Sequence, residues 1–250
     1  MNITITYDKN YIFGGRKVPK KYIKKYENDL AFNLYSNHHI SNIEWTNKEL
    51  NKMFQIYGVN YTFYLINKKI DIYEEKFKKY NVHTKKELAD FYKYFDKTKK
   101  EIKKYKLFKK LESIIRTKLP KNLTIFLYSE NVHIGHTFGN IIHFGHTEDW
   151  KCYTIVYLAH EAIHALLNEN NFKQDHISHA IIELCTDYHL RYLLSGYQTI
   201  SIGHPYLTEL RTKILPYFEK YLESTKDIFK FIEEMRNIFE IQQVAEKIKI

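Results

Sequence analysis

Apolar residues follow a strand-like pattern in the amino-terminal part of the chain. Continuous or alternating β-branched and aromatic residues predict strands within 2–7 (NITITY), 59–66 (VNYTFYLI) and 122–130 (NLTIFLYSE). Two more short strands are predicted within 132–146, on either side of a turn at Gly139 and Asn140. These segments together predict a small mixed sheet that includes an edge strand.

Between these strands, and throughout the last third of the chain, apolar residues recur at helical spacing. The capping boxes TNKE (46–49) and TKKE (84–87) predict helix starts. The second box predicts a short helix to about Phe95, and a long helix then runs through the lysine-rich stretch and stops near Pro120. Further helices are predicted from Thr154 to about Asn168, over 177–195, over 206–222 and over 226–247, with a break near Ser224.

This order of elements predicts an α+β fold in one two-lobed domain. The mixed lobe covers about 1–170, and the helical lobe covers about 171–250. No repeat and no linker rich in Gly, Ser or Pro divides the chain. We therefore expect one domain with its helices backing the sheet.

The stretch VYLAHEAIHALLNE (156–169) places three polar residues in an otherwise apolar, helix-favouring context. His160 and His164 lie four residues apart, so both imidazoles project from one helix face and can bind one metal ion. Glu161 lies beside them and can act on a water molecule at that ion. This HExxH pattern predicts a zinc site with one ion per chain.

A catalytic zinc ion normally takes three protein ligands, and a candidate third ligand lies downstream. Glu183 follows in an apolar predicted helix, where a buried carboxylate is costly unless it is paired or binds a metal. Asp187 lies one turn further and is placed to accept the second N–H of His160. His176 and His179 are the alternative third ligands.

In these residues the sequence resembles the gluzincin metallopeptidases, the thermolysin-like zincins. Their pattern of HExxH, a glutamate about twenty residues later and an aspartate four beyond it corresponds to the motif followed by Glu183 and Asp187. The resemblance implies a zincin-like fold with an active-site helix and a helical carboxyl-terminal subdomain. It departs at Ile182, where many members have asparagine. The metzincin extension is absent, because Leu167 and Asn170 occupy its glycine and histidine positions.

The resemblance implies hydrolysis of peptide bonds in a peptide or protein substrate. Glu161 would be the general base, and a Tyr or His would stabilise the developing oxyanion. His204 is the first candidate for that role and Tyr206 the second, because both follow the helix that carries Glu183. The substrate would lie extended along an edge strand at 140–146.

The net charge of +10 and the lysine runs at 20–27 and 97–110 suggest an alternative function. A basic surface can attract nucleic acid, either for a SprT-like, His-ligated protease or for a protein whose HExxH site is inert. Apolar residues recur at helical spacing between the lysines, which instead indicates solvated helix faces, and no nucleic-acid-binding motif appears. A zinc hydrolase acting on a non-peptide amide is a third possibility.

The remaining features of the sequence concern compartment and partners. The amino terminus lacks the basic and apolar regions of a signal peptide, and no stretch has the length and apolar character of a transmembrane helix. Cys152 and Cys185 are too few for a disulfide framework and predict buried free thiols. We therefore expect a cytoplasmic protein, and the sequence makes no prediction of its oligomeric state.

Overall fold

A four-stranded mixed sheet supports the site. The computed structural model describes residues 2–7 and 84–248. The predicted capping box at 46–49, the predicted strand at 59–66 and the lysine run at 20–27 lie outside these residues. The strands of the sheet are β1 (Asn2–Thr6), β2 (Asn122–Leu127), β3 (Ile134–Phe138) and β4 (Ile141–Gly145).

Seven α-helices surround the sheet in the described part of the chain. Their general arrangement confirms the predicted mixed α+β order followed by helices only. Short 3₁₀ turns occur at Glu130–Val132 and Pro205–Leu207. The α-helices are α1 (Lys85–Tyr105), α2 (Leu107–Ile115), α3 (Tyr153–Glu169), α4 (His176–Glu183), α5 (Arg191–Ser195), α6 (Thr208–Glu223) and α7 (Ile228–Ile248).

The lysine-rich region forms two helices whose boundary differs from the prediction. The capping box at Thr84 is present, with Glu87 as its reciprocal partner. The predicted break near Phe95 is wrong, because that residue belongs to a buried stripe that runs on through the middle of α1 and no Gly or Pro interrupts it. The break comes at Lys106, whose left-handed backbone (φ 50°) lets its N–H bond to the carbonyl of Ile102.

The order of strands in the sheet corrects the predicted edge strand. The order is β1-β2-β4-β3; β1, β2 and β4 run parallel, and β3 runs antiparallel to β4. The hairpin turn at Gly139 has φ 55°, as a tight turn between strands requires. The predicted edge strand at 140–146 is β4, which pairs on both sides, so that prediction is wrong. Within the described part of the chain β3 is the edge strand beside the site.

Helix α3 lies at the centre of the hydrophobic core. It packs on β3 and β4, on α1 and α2, and on the segment that follows α4. Its apolar residues are almost all buried, as the sequence predicts; Leu158, Ile163 and Leu167 are fully inaccessible to solvent. Because so much apolar surface surrounds α3, the direction of its polar side chains is strongly constrained.

The predicted helix at 177–195 is continuous but contains a π-helical segment. Regular α4 ends at Glu183, Leu184–Leu190 is π-helical, and α5 begins at Arg191. Such widened turns occur frequently at functional sites. This one contains Asp187, the residue that the sequence predicts as the partner of His160.

None of the helices in the described part of the chain has the length and apolar character that crossing a membrane requires. Both cysteines, Cys152 and Cys185, are buried free thiols, as predicted. The division into lobes at about residue 170 stays a prediction.

Candidate metal centre

A cleft of about 490 Å³ lies between the edge strand β3 and helix α3. Its lining is unusually rich in imidazole groups. Helix α3 contributes His160, Glu161 and His164, and His204 lies in the loop before α6. The other histidines that line it are His133, His136, His146 and His179.

His160 and His164 direct their Nε2 atoms toward each other from one face of α3. The two atoms are 3.1 Å apart. Two nitrogen ligands on one tetrahedral zinc ion, each about 2.0–2.1 Å from it, would be about 3.3 Å apart. The geometry therefore fits two neighbouring ligands of a single ion.

His179 of α4 completes this group of imidazoles. Ligand atoms of His160, His164 and His179 all lie within 4.8 Å of one another. Nε2 of His179 is buried, lies 3.9 Å from Oε1 of Glu183 and makes no hydrogen bond with any described residue. Burial, together with the neighbouring His160 charge, lowers the pKa of both His164 and His179 to about 3. Both rings are therefore neutral at neutral pH, which is the form that binds a metal ion.

Glu183 lies beside this group rather than within it. Its carboxylate is completely buried; Oε2 is bound by Arg211, and Oε1 accepts hydrogen bonds from the backbone N–H (2.7 Å) and Nδ1 (2.5 Å) of His204. Burial alone would raise the pKa of this carboxyl, but these hydrogen bonds and the arginine charge lower it overall. Glu183 belongs to a second possible ligand group with His179 and His204, whereas the structure does not bring it together with His160 and His164.

Asp187 lies on the far side of the His160 ring. Its Oδ2 is 3.5 Å from Nδ1 of His160, and both side chains are almost completely buried. Burial lowers the pKa of His160, but the contact with Asp187 and the charges of Glu161 and Glu183 together outweigh it, and the net pKa is raised. The carboxylate thus lies where it can fix the ring so that Nε2 faces the cleft.

The Glu161 side chain is held by the edge strand. The hydroxyl of Thr137 on β3 lies 2.6 Å from Oε2 of Glu161 and 3.0 Å from the backbone carbonyl oxygen of the same residue. Glu161 is only 6% exposed, yet it lines the cleft next to the imidazoles. A carboxylate in this position can accept a proton from a water molecule in the cleft.

The two predicted oxyanion-stabilising residues lie in different environments. His204 lines the cleft, with its ring centroid 4.6 Å from that of His179. Tyr206 is 63% exposed; its ring contacts His204 and His176 and does not line the cleft. The geometry therefore favours His204 over Tyr206 for contact with a bound substrate.

Two histidines near β4 lie in different environments. His146 lines the cleft, whereas His143 is hydrogen-bonded to the hydroxyl of Tyr128 at 2.7 Å and is not among the lining residues. Trp150 packs against Tyr153 at the start of α3.

Four residues at the site are not anticipated from the sequence. Tyr157 stacks on His160 with ring centroids 5.6 Å apart, and its position one turn earlier on α3 could have indicated this. Arg211 lies on the buried face of α6 with Ile214, so its charge required a buried partner. Thr137 and Gln174 carry no sequence signal that distinguishes them from other polar residues.

Gly203 allows the loop before α6 to pack directly on the buried carboxylate. Its φ of 104° is unfavourable for other residues, and a Cβ atom there would lie 2.7 Å from Oε2 of Glu183 and would also strike Arg211.

We expect Gly203→Ala to lower the free energy of unfolding by about 1–3 kcal/mol, measured by urea denaturation. Gly139→Ala is the matched control, because it has positive φ but no atom within 4 Å; an equal loss in both variants would mean that backbone strain alone is responsible.

The donor set fits a transition metal that prefers nitrogen ligands. Imidazole nitrogens converge at tetrahedral spacing, and one buried ring nitrogen, Nε2 of His179, makes no hydrogen bond within the described part of the chain. The chain matches no protein-family model, no curated protein and no solved structure. The fold and the site thus define a class only, that of mixed α+β proteins with a possible His/Glu metal site.

Proposed function

We propose that this protein is a zinc-dependent metallopeptidase that holds one zinc ion through His160, His164 and His179. The observation that carries the proposal is the grouping of these three imidazoles within 4.8 Å, in the same cleft as the Glu161 carboxylate. Three protein ligands with one open position are the usual arrangement at a catalytic zinc ion, whereas structural sites use four.

The third ligand distinguishes two versions of this proposal. The gluzincin resemblance implies Glu183, but both of its carboxylate oxygens are already bound by Arg211 and His204. His179 has a buried nitrogen with no hydrogen-bond partner and needs no such bond to be broken. The geometry therefore supports a His-ligated site, with Glu183 holding the His204 loop.

The residues of the cleft can then share the steps of amide hydrolysis. Zinc held by His160, His164 and His179 would supply Lewis-acid activation of water and of the substrate carbonyl. Glu161, held by Thr137, takes the proton of the attacking water and passes it to the leaving amine. His204, whose Nδ1 donates to Glu183, lines the cleft, and in its protonated form its Nε2–H can donate to the oxyanion.

A peptide is the substrate class that the shape of the cleft favours. Residues Ile134 to Thr137 of β3 form one wall, and β3 is the outer strand of the described sheet. An extended peptide can pair with such a strand through main-chain hydrogen bonds. The scissile bond would then lie over Glu161 and the imidazoles.

Metal content in ligand variants of the full-length protein tests this proposal. We expect about one equivalent of zinc in the wild type and less than about half an equivalent in His179→Ala. Glu183→Gln should retain zinc, because its role is to bind Arg211 and His204. His176→Ala is the matched control, since that histidine is exposed on the first turn of the same helix and should not affect metal content.

Two outcomes would contradict parts of the proposal. Zinc retained in His179→Ala but lost in Glu183→Gln would restore the gluzincin ligand set. Less than about half an equivalent in the wild type would remove the metal site altogether. Cleavage of a quenched-fluorescent peptide library that stops on chelation and resumes with zinc would establish the peptidase activity; cleavage that is insensitive to chelators would exclude it.

A further inference from the structure

We propose that Gln174 and Arg236 are positioning residues that set the metal affinity of the site by fixing the loop between two of its ligands. This inference rests on the proposed zinc site. The loop 170–175 connects α3, which carries His164, to α4, which carries His179. Neither residue belongs to the proposed ligand set, although Gln174 lines the cleft; each acts through a neighbouring group.

Gln174 fixes the tautomer and the orientation of His164. Its Oε1 lies 2.6 Å from Nδ1 of His164, and its Nε2 donates to Oδ1 of Asn168 at 2.5 Å. Because the amide nitrogen is used on Asn168, the amide oxygen faces the imidazole and must accept from its N–H. The proton of the neutral ring is then on Nδ1, and the lone pair of Nε2 is directed at the metal position.

Arg236 of α7 anchors the same loop from the other side. Its Nε donates to Oδ2 of Asp175 at 2.9 Å, its Nη2 donates to the carbonyl of Lys173 at 2.6 Å, and its guanidinium lies over the ring of Phe172. These contacts hold the residues immediately before and after Gln174. The acceptor for His164 is therefore fixed by a helix that lies some sixty residues further along the chain.

The same anchor reaches the third imidazole. Asp175 caps the start of α4, where its Oδ1 accepts from the backbone N–H of Ser178 at 2.9 Å. His179 is the next residue, so the position of its ring depends on how this first turn is held. Arg236 thus acts on His179 through the helix cap and on His164 through Gln174.

The expected size of the effect follows from the role of groups that hold metal ligands. Removing a partner of a ligating histidine typically weakens metal binding about 10–100-fold. Because Gln174 is exposed, its loss should leave the core and the stability of the metal-free protein unchanged. Metal affinity and global stability are therefore separable in variants of this residue.

Zinc affinity of the full-length protein, measured by competition with a chromophoric chelator, tests the inference. We expect Gln174→Leu to weaken zinc binding about 10–100-fold and to change the visible spectrum of the Co²⁺-substituted protein. Gln174→Glu keeps the acceptor and should restore affinity to within a few-fold of the wild type. Arg236→Gln should weaken binding about 10-fold, whereas Lys230→Gln, which removes an exposed charge from the same helix, should have no effect.

The outcomes separate this inference from the proposed function. Zinc binding by the wild type together with equal affinity in Gln174→Leu overturns the positioning role and leaves the metal site intact. No zinc binding by the wild type overturns both. If Arg236→Gln lowers the thermal stability of the metal-free protein, its zinc affinity no longer reports on positioning alone. The Gln174→Leu and Gln174→Glu variants then decide the inference, because unchanged stability of their metal-free forms shows that a loss of zinc affinity is local.

Discussion

Glu161→Gln is expected to retain zinc and to lose hydrolytic activity. The glutamine amide has nearly the same shape as the carboxylate, and its oxygen can still accept the hydrogen bond from Thr137. It cannot accept a proton at neutral pH, so the attacking water loses its base. We expect kcat/KM to fall by about 10²–10⁴, which corresponds to about 2.7–5.4 kcal/mol of transition-state stabilisation.

The measurement is peptide hydrolysis together with metal content in the same preparation. Glu169→Gln is the matched control, because Glu169 ends the same helix and its carboxylate accepts a surface hydrogen bond from Asn140 at 3.2 Å. Its activity should equal that of the wild type. Undiminished turnover in Glu161→Gln would exclude the general-base role, and loss of zinc in that variant would assign Glu161 to metal binding instead.

Arg211→Met is expected to cause the largest loss of stability. The variant leaves the Glu183 carboxylate completely buried without its cation, and removing one partner of a buried ion pair typically costs about 3–5 kcal/mol. Urea unfolding of the metal-free protein measures the change without a contribution from bound zinc. The double variant Arg211→Met with Glu183→Leu should recover most of the loss, because no unpaired charge then remains.

A surface ion pair on the same helix provides the control for Arg211. Lys213 pairs with Glu209 at 2.7 Å, and both side chains are largely exposed. We expect no measurable loss of stability in Lys213→Met. Equal stability of Arg211→Met and the wild type would show that the hydrogen bonds from His204 alone are enough to hold the Glu183 carboxylate.

Local patterns predict most of the elements that form this fold. The strand at Asn122–Leu127, the hairpin at Gly139 and the capping box at Thr84 all depend on neighbours within a few residues. The identity of the edge strand does not depend on near neighbours in sequence. Strand β4 pairs with β2 in parallel, and this pairing joins segments that are not consecutive strands in the chain. The residues of β4 themselves do not indicate whether one or two neighbouring strands pair with it.

The candidate site also has features that near neighbours in sequence predict and features that depend on distant parts of the chain. His160 and His164 share one helix, so their spacing alone predicts that they face each other. His179 and Glu183 also share one face of a helix, so spacing cannot decide which of the two reaches the first pair. The difference comes from Arg211, on a separate helix, which binds Glu183, whereas Nε2 of His179 makes no hydrogen bond with the described residues.

The wide turns at Leu184–Leu190 set the rotational phase between the two halves of one long helix. His179 faces the proposed metal position before them, whereas Arg191 and Leu194 face the buried interior after them. Each residue of a helix advances its direction by about 100°, so removing one residue here would rotate one half against the other by that angle. The number of residues in this segment, independently of their side chains, therefore determines whether one continuous helix can direct His179 into the cleft and also bury Arg191 and Leu194.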